Sequence, residues 1–212
     1  MLYAVTIENA HRFGDVLPQL LRLRYKQFRE RQGYDVRVFR EMEFDQYDTP
    51  ETVYLVRLDE QKRVQGTSRL NSTLSPYMLR EIWPHLVEGH ELPRAAEVWE
   101  GTRICVDKAL PAAARERIKW EIVLGYLEFG LGNGIARYIG IMQSFIWRRV
   151  FIQSGWGAEF LGPEHAIDGI KTRAGQVQVS RDALQRVRET TGIFEPVLAN
   201  PGEVRTGLAK AA

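Results

Sequence analysis

The chain of 212 residues has one cysteine, Cys105, and therefore no means of cross-linking itself. That excludes a small secreted scaffold held by disulfides. Its four histidines, His11, His85, His90 and His165, are scattered and lack the close Cys/His grouping of a zinc site, so no metal is expected. Lys and Arg number 29 against 27 Asp and Glu, and the resulting formal charge of +2 is too small to drive nucleic-acid binding. No stretch approaches the roughly 18 consecutive apolar residues of a membrane-spanning helix. The opening MLYAVTIENAHRFGDV has neither the basic start nor the apolar run of a secretory signal, which makes the cytoplasm the expected location. Repeats and low-complexity tracts are missing too.

What the chain does have is the balance of a globular protein, with 44% hydrophobic and 26% charged residues. Its length suits one domain, expected over residues 1–200, with a tail at 201–212 that ends in Gly and Ala and is expected to fray. Alternating residues predict a strand over 1–7, and helical spacing of Leu17, Leu20, Leu21, Tyr25 and Phe28 predicts a helix over 16–31. The segment 32–50 is irregular, charged and aromatic, as functional or mobile loops often are. TVYLVRL and VQGTSRL flank the polar turn DEQKR and predict a hairpin. A short helix over 77–86 follows. AEVWEGTRICV, at 96–106, reads as the central strand, with Gly101 marking a bulge or a close backbone approach. Pro at the start and Gly at the end punctuate a long helix over 111–130, so that GLGNG is a helix cap and not a phosphate loop. Beyond it, the pattern predicts a strand at 138–142, a helix at 145–153, weak strands near Glu159 and over 176–179, and a helix opening with SRDALQRV. A hairpin followed by a strand–helix–strand unit predicts an α/β fold with a mixed twisted sheet and helices on both faces.

Three islands hold more polar and aromatic residues than a core requires. RYKQFRERQGY puts Arg24 and Phe28 four apart on one helical face. EMEFDQYD gathers four carboxylates within eight residues, whose repulsion must be answered by distant cations, and Arg24, Arg69 and Arg103 are available. In VWEGTRICV, strict alternation puts Glu100 and Thr102 on one side of the strand and Arg103 on the other with Trp99 and Gly101. Each island by itself also suits solvated or ion-paired structural residues.

Together they resemble the LuxI-type acyl-homoserine-lactone synthases. Arg24, Phe28, Asp45, Asp48, Arg69, Glu100 and Arg103 stand where that family has the same residues, in the contexts LRLRYKQF, EFDQYDTP, GTSRL and VWEGTR. YML after Pro76, QSGW and IDG are further family-like segments, and the resemblance runs over roughly residues 1–192. Tyr34 replaces the family's usual tryptophan, Trp83 its usual phenylalanine, and NSTLSPY a more usual PTT-type run.

The resemblance implies a fold similar to the GCN5-related acetyltransferases, with a V-shaped opening between central strands. It implies transfer of an acyl group from an acyl carrier protein or coenzyme A thioester to the amine of S-adenosylmethionine, followed by lactone closure and release of methylthioadenosine. S-adenosylmethionine is then a substrate, and no metal or redox cofactor is needed. Glu100 becomes the candidate base, with Arg103 beside it. Asp45, Asp48, Arg24 and Arg69 offer both signs of charge to the zwitterionic, cationic substrate, and Phe28, Tyr34 and Trp83 offer aromatic walls to its sulfonium. Trp99, Ile141, Met142, Phe145 and Trp147 are candidates for the acyl slot, and also ordinary core residues. Where relatives taking 3-oxo chains tend to carry threonine, this chain aligns Ile141, which points to an unsubstituted chain. Arg148 and Arg149, with Arg115, Arg117 and Lys119, are candidates for docking an acidic carrier protein. Two rival readings are a plain N-acetyltransferase, although DKALPAAARER stands in place of its pyrophosphate loop, and a silent ligand-binding relative.

Overall fold

The computed structural model describes residues 1–199, so the tail expected to fray lies outside the described residues. The chain opens with β1 (Leu2–Val5) and α1 (Val16–Tyr25), which runs on into a π-helical turn, Lys26–Arg31. A small hairpin of β2 (Val38–Phe39) and β3 (Met42–Glu43) leads to the long hairpin of β4 (Val53–Leu58) and β5 (Val64–Ser72). Next come α2 (Met78–Ile82), β6 (Val98–Val106), α3 (Ala112–Gly132) and β7 (Arg137–Gln143). The last part holds α4 (Ser144–Ile146) with a second π-helical turn, Trp147–Ile152, then β8 (Glu159–Phe160), β9 (His165–Ile167), β10 (Ile170–Gln178), α5 (Arg181–Thr191) and β11 (Leu198–Ala199).

One mixed sheet runs in the order β11-β1-β4-β5-β6-β7-β10-β8, with β9 also paired to β10. β1 is parallel to β11 and β6 to β7, while the remaining neighbours are antiparallel. Helices cover both faces as the pattern predicted. α1 packs Leu20 and Leu23 against Val56, Leu58, Val64 and Cys105 on one face. α3 lays Ile122, Val123, Tyr126 and Phe129 against Leu2, Leu55, Leu70, Trp99 and Tyr138 on the other. A third cluster, around Tyr77, Leu79, Val98 and Ile139, covers the β6–β7 half of the sheet. Local chemistry sets the ends: Ser180 Oγ accepts from the Ala183 N–H at 3.0 Å to start α5, and Gly192, at φ 69°, closes it.

Several elements exceed the sequence expectation. β10 starts six residues earlier than the alternation suggests, and β9 and β11 are strands that it did not predict. The β2–β3 hairpin sits inside the stretch read as irregular. Its two turn residues, Arg40 (φ 48°) and Glu41 (φ 60°), are both left-handed, a geometry that usually draws Asn or Gly, so Arg–Glu gives no turn signal.

The sheet opens between β6 and β7. Their parallel ladder pairs Val98 with Arg137, Trp99 with Tyr138 and Glu100 with Ile139, and then stops. The next residues are Gly101 and Gly140, whose backbones touch: a Cβ on Gly140 would lie 2.7 Å from the Gly101 carbonyl oxygen. Gly101 is thus a close backbone approach, and the bulge falls two residues later, where the β5–β6 register shifts between Thr67 and Arg69 and Arg103 takes φ 55°. The bulge turns Arg103 to the same face as Thr102, overturning the alternation that grouped it with Trp99 and Gly101. We predict that Gly140→Ala, by driving β6 from β7 at the apex of the opening, lowers stability by about 1–3 kcal/mol, read as a lower urea midpoint with an unchanged m-value.

Candidate active site

Four chain segments converge beneath α1. Arg24 comes from the last turn of α1, Arg69 from β5, Arg103 from the β6 bulge, and Glu43, Asp45 and Asp48 from β3 and the loop after it. Arg24 Nε donates to Glu43 Oε2 at 2.5 Å, and its two terminal nitrogens grip Asp48 at 2.6 and 2.8 Å. Arg69 donates to Asp45 at 2.6 and 3.2 Å and to Thr102 Oγ1 at 3.0 Å, and stands 3.1 Å from Asp48. Arg103 bridges Glu43 (3.1 Å) and Asp45 (2.8 Å). The charges cancel three against three, and Arg24, Arg69 and Glu43 are wholly buried. The carboxylate repulsion seen in the sequence is therefore answered by the cations that the sequence reading proposed.

Hydrogen bonds also fill the remaining acceptor positions. Asp48 accepts from the Tyr54 hydroxyl at 2.7 Å and the Asp45 N–H at 2.9 Å, and Asp45 accepts from the Tyr47 N–H at 2.9 Å. Burial alone would raise the Asp48 pKa, but hydrogen bonds from Arg24 and the charges of Arg69 and Arg24 hold it well below the usual carboxylate range. For Arg69, burial works against the charge and is outweighed by Asp48 and Asp45, which raise its pKa.

Glu100 is outside this lattice. Its carboxylate, fully buried, accepts from the backbone N–H groups of Met78 (3.0 Å) and Leu79 (2.7 Å), the first turn of α2. Burial raises its pKa, and those two N–H groups oppose the shift. The arginine ion pair considered for it at the sequence level is not what it makes.

Beyond Gly101 and Gly140 the separated strands enclose a cavity of about 310 Å³. β6 lines it with Thr102, Arg103 and Ile104, and β7 with Ile141, Met142 and Gln143. Phe28 and Tyr34 form part of one wall, their rings 6.3 Å apart and 12° from parallel, and Gln143 Nε2 reaches across to donate to the Tyr34 hydroxyl. Met78 and Trp83 close another side. Arg103 lies with its guanidinium 5.4 Å from the Phe28 ring centroid and its Nη1 3.6 Å from Met78 Sδ.

Of the residues singled out in the sequence, Phe28, Tyr34, Trp83, Arg103, Ile141 and Met142 are on this wall. Arg24, Asp45, Asp48, Arg69 and Glu100 stand behind it, and Asp48 instead lines a second hollow of about 290 Å³ under Ile7, Leu21 and Phe44. Trp99 and Trp147 belong to the core: Trp99 packs on Phe129 and Trp147 on Phe151, and their indole N–H groups donate to the Ala96 and Arg173 carbonyls. Phe145 is exposed and outside the cavity. Arg148 and Arg149 are exposed on the second π-helical turn, whereas Arg117 and Lys119 on α3 are paired with Glu121, Glu195 and Glu116. The apolar wall also takes Ile104, Ile146, Ile167 and Ile170, of which Ile104 and Ile170 were not singled out, nor was Glu43 named as a partner. Family-like YML and IDG already contained Met78, Ile167 and Asp168 of the cavity. Cys105 is buried, and burial pushes its thiol up to about 12, which leaves it unreactive.

The lattice carries a pH signature. With its folded pKa depressed, Asp48 contributes stability that is present above the ordinary carboxyl range, about pH 4, and lost as pH falls through and below it. Unfolding in urea from pH 7 to 3 should show stability falling with acid, and Asp48→Asn should be less stable at pH 7 with a shallower acid slope; parallel slopes would contradict the assignment.

The family model described as autoinducer synthase matches residues 9–187. An isovaleryl-homoserine lactone synthase of Bradyrhizobium diazoefficiens is 31% identical over 194 residues, covering 91% of this chain and 86% of the relative. The solved structure of a CoA-dependent acyl-homoserine lactone synthase, BjaI, with SAM and isopentyl-CoA superposes with a TM-score of 0.85 at 30% identity, covering 94% of this chain and 92% of that one. A protein from Lactobacillus plantarum described as a putative N-acetyltransferase, 17% identical with a TM-score of 0.55 over 84% of this chain and 99% of its own, shares the fold. On the strength of the match over 9–187, the chain belongs to the autoinducer synthase family.

Proposed function

We propose that the chain is an acyl-homoserine-lactone synthase that works in the cytoplasm on S-adenosylmethionine and an acyl thioester. The observation that carries this reading is the cavity at the β6–β7 opening, which combines one arginine, three aromatic side chains and an aliphatic wall. The amine of S-adenosylmethionine attacks the thioester carbonyl; the C–N bond forms, the C–S bond breaks, and the free thiol leaves as the amine gives up a proton. The substrate's carboxylate then attacks its own γ-carbon, forming the lactone C–O bond and expelling neutral methylthioadenosine from the sulfonium. No redox step is involved.

Arg103 is the cation on the cavity wall and is suited to the substrate carboxylate. Phe28, Tyr34 and Trp83 present π faces to the sulfonium and its adenosyl group. Arg24, Arg69, Asp45 and Asp48 act from behind, by holding Arg103 and the loop that covers it. The aliphatic wall, Ile104, Ile141, Met142, Ile146, Ile167 and Ile170, suits an acyl chain. Thr172 donates its hydroxyl hydrogen to the Ile170 carbonyl at 3.0 Å, whereas Thr102 accepts from Arg69 at 3.0 Å and keeps its own hydrogen. The apolar Ile141 on this wall supports a chain without a 3-oxo group. Likeness to a CoA-dependent synthase supports acyl-CoA as donor, and exposed Arg148 and Arg149 are the surface that a carrier protein would use instead.

Glu100, bonded to two backbone N–H groups and absent from the cavity wall, is better read as a positioning residue than as the base. It anchors α2, which brings Met78 and Trp83 to the cavity. The carboxylates that do line it, Asp35 and Asp168, are exposed at its rim.

Purified protein given S-adenosylmethionine and acyl-CoA should release methylthioadenosine and an acyl-homoserine lactone, detected by mass spectrometry. Absence of both across short to long CoA and carrier-protein donors would overturn the proposal. For Glu100→Gln, which can satisfy only one of the two N–H groups, we expect a loss of about 1–3 kcal/mol in stability with a raised KM. An unchanged melting temperature with kcat down by about 10²–10⁴ would instead make Glu100 the base.

A further inference from the structure

One buried polar atom on the cavity wall has no partner in the protein. Gln32 ends the first π-helical turn, its backbone N–H reaching the Gln27 carbonyl at 3.2 Å in the i→i+5 register, and π turns of this kind recur at functional sites. Its side-chain Oε1 is buried and unbonded. Among the described residues, five other buried side-chain atoms also lack partners, on Thr67, Arg137, Ser144, His165 and Arg188, and none of those residues lines the cavity. Several neighbouring polar groups on the wall have partners in the protein: Tyr34 accepts from Gln143, Thr102 accepts from Arg69, and Arg103 donates to Glu43 and Asp45. A buried acceptor left empty is costly, so such an atom in a substrate cavity marks where a substrate donor belongs.

The position of Gln32 narrows the donor. It lies on the wall with Phe28 and Tyr34, whose nearly parallel rings offer π faces to a flat group. Of the donors that the two substrates carry, the reacting amine belongs beside the thioester carbonyl, the ribose hydroxyls and the pantetheine amides are not part of a flat heteroaromatic ring, and the adenine of coenzyme A is held a whole pantetheine arm away from the thioester. An exocyclic amine on a heterocycle combines an N–H donor with a face to stack. We infer that Gln32 recognises the adenine of S-adenosylmethionine, its Oε1 accepting from the exocyclic amine. The inference rests on the synthase reading.

Methylthioadenosine is a suitable probe because it keeps the adenosyl group and lacks both the amino-acid and the acyl parts. Calorimetry on the whole chain would compare it with its 6-deamino counterpart, which bears hydrogen in place of the amine and adds no bulk. The unmodified protein should favour methylthioadenosine by about tenfold, the scale of one buried hydrogen bond. Gln32→Met, similar in length but without the acceptor, should lose that preference by weakening methylthioadenosine alone, and should raise the KM for S-adenosylmethionine while kcat at saturation holds. Gln32→Glu, which keeps an acceptor, should retain the preference. Equal binding of the two probes by the unmodified protein, or an unchanged preference in Gln32→Met, would overturn the inference. So would a rise in KM confined to the acyl thioester, which would assign Gln32 to the pantetheine arm. If the unmodified protein formed lactone yet showed no preference, the synthase reading would stand and only the adenine assignment would fall. No binding together with no lactone would bring down both.

Discussion

The arrangement around the cavity depends on three guanidinium groups taken out of water. A buried charge without a partner costs several kcal/mol, so Arg24, Arg69 and Arg103 are tolerable only while Glu43, Asp45 and Asp48 stay in contact with them. This fixes one conformation for the segment 41–52, which has few apolar residues to hold it. Tyr47, Thr52 and Asn71 complete the attachment through Thr52 Oγ1 to Asn71 Oδ1 at 2.9 Å and Asn71 Nδ2 to the Tyr47 carbonyl at 3.0 Å. Ion pairing of this kind adds little net stability compared with a well-packed apolar core, but breaking any member strands the others. The lattice specifies a shape more than it strengthens the fold.

That shape keeps most of the charge away from the cavity. Six ionised groups are spent on one another, and only Arg103 extends from the lattice to the cavity wall. It gets there through a backbone irregularity: with φ 55°, a left-handed conformation costing a non-glycine residue about 1–2 kcal/mol, the bulge gives β6 two successive side chains on one face. The bulge follows within three residues the end of the β6–β7 ladder, where Gly101 and Gly140 let their backbones meet. The opening of the sheet and the aim of the arginine are thus neighbours on one strand. Glu100 contributes at the last paired position before the split, where its carboxylate takes the place of a helix cap for α2.

The amino-acid sequence by itself determined the class of fold and the identity of the charged set. Period-two and period-3.6 patterns were clear in β4, β5, β6 and α3 because each buries a continuous apolar face, and the excess of carboxylates at 41–48 announced that arginines must meet it. Family-like contexts around Arg24, Arg69 and Glu100 pointed to the chemistry. What only the tertiary structure decided is which of these residues reaches the cavity. Strict alternation put Arg103 on the wrong face because a bulge inserts a residue without any local signature when the left-handed position is not glycine, and Arg40–Glu41 hid a hairpin for the same reason. Trp99, Phe145 and Trp147 have the size and hydrophobicity of a pocket wall, yet two went to the core and one to the surface. Hydrophobicity records how much a side chain gains by leaving water, and the packing of distant segments decides whether it leaves water for the core or for a cavity.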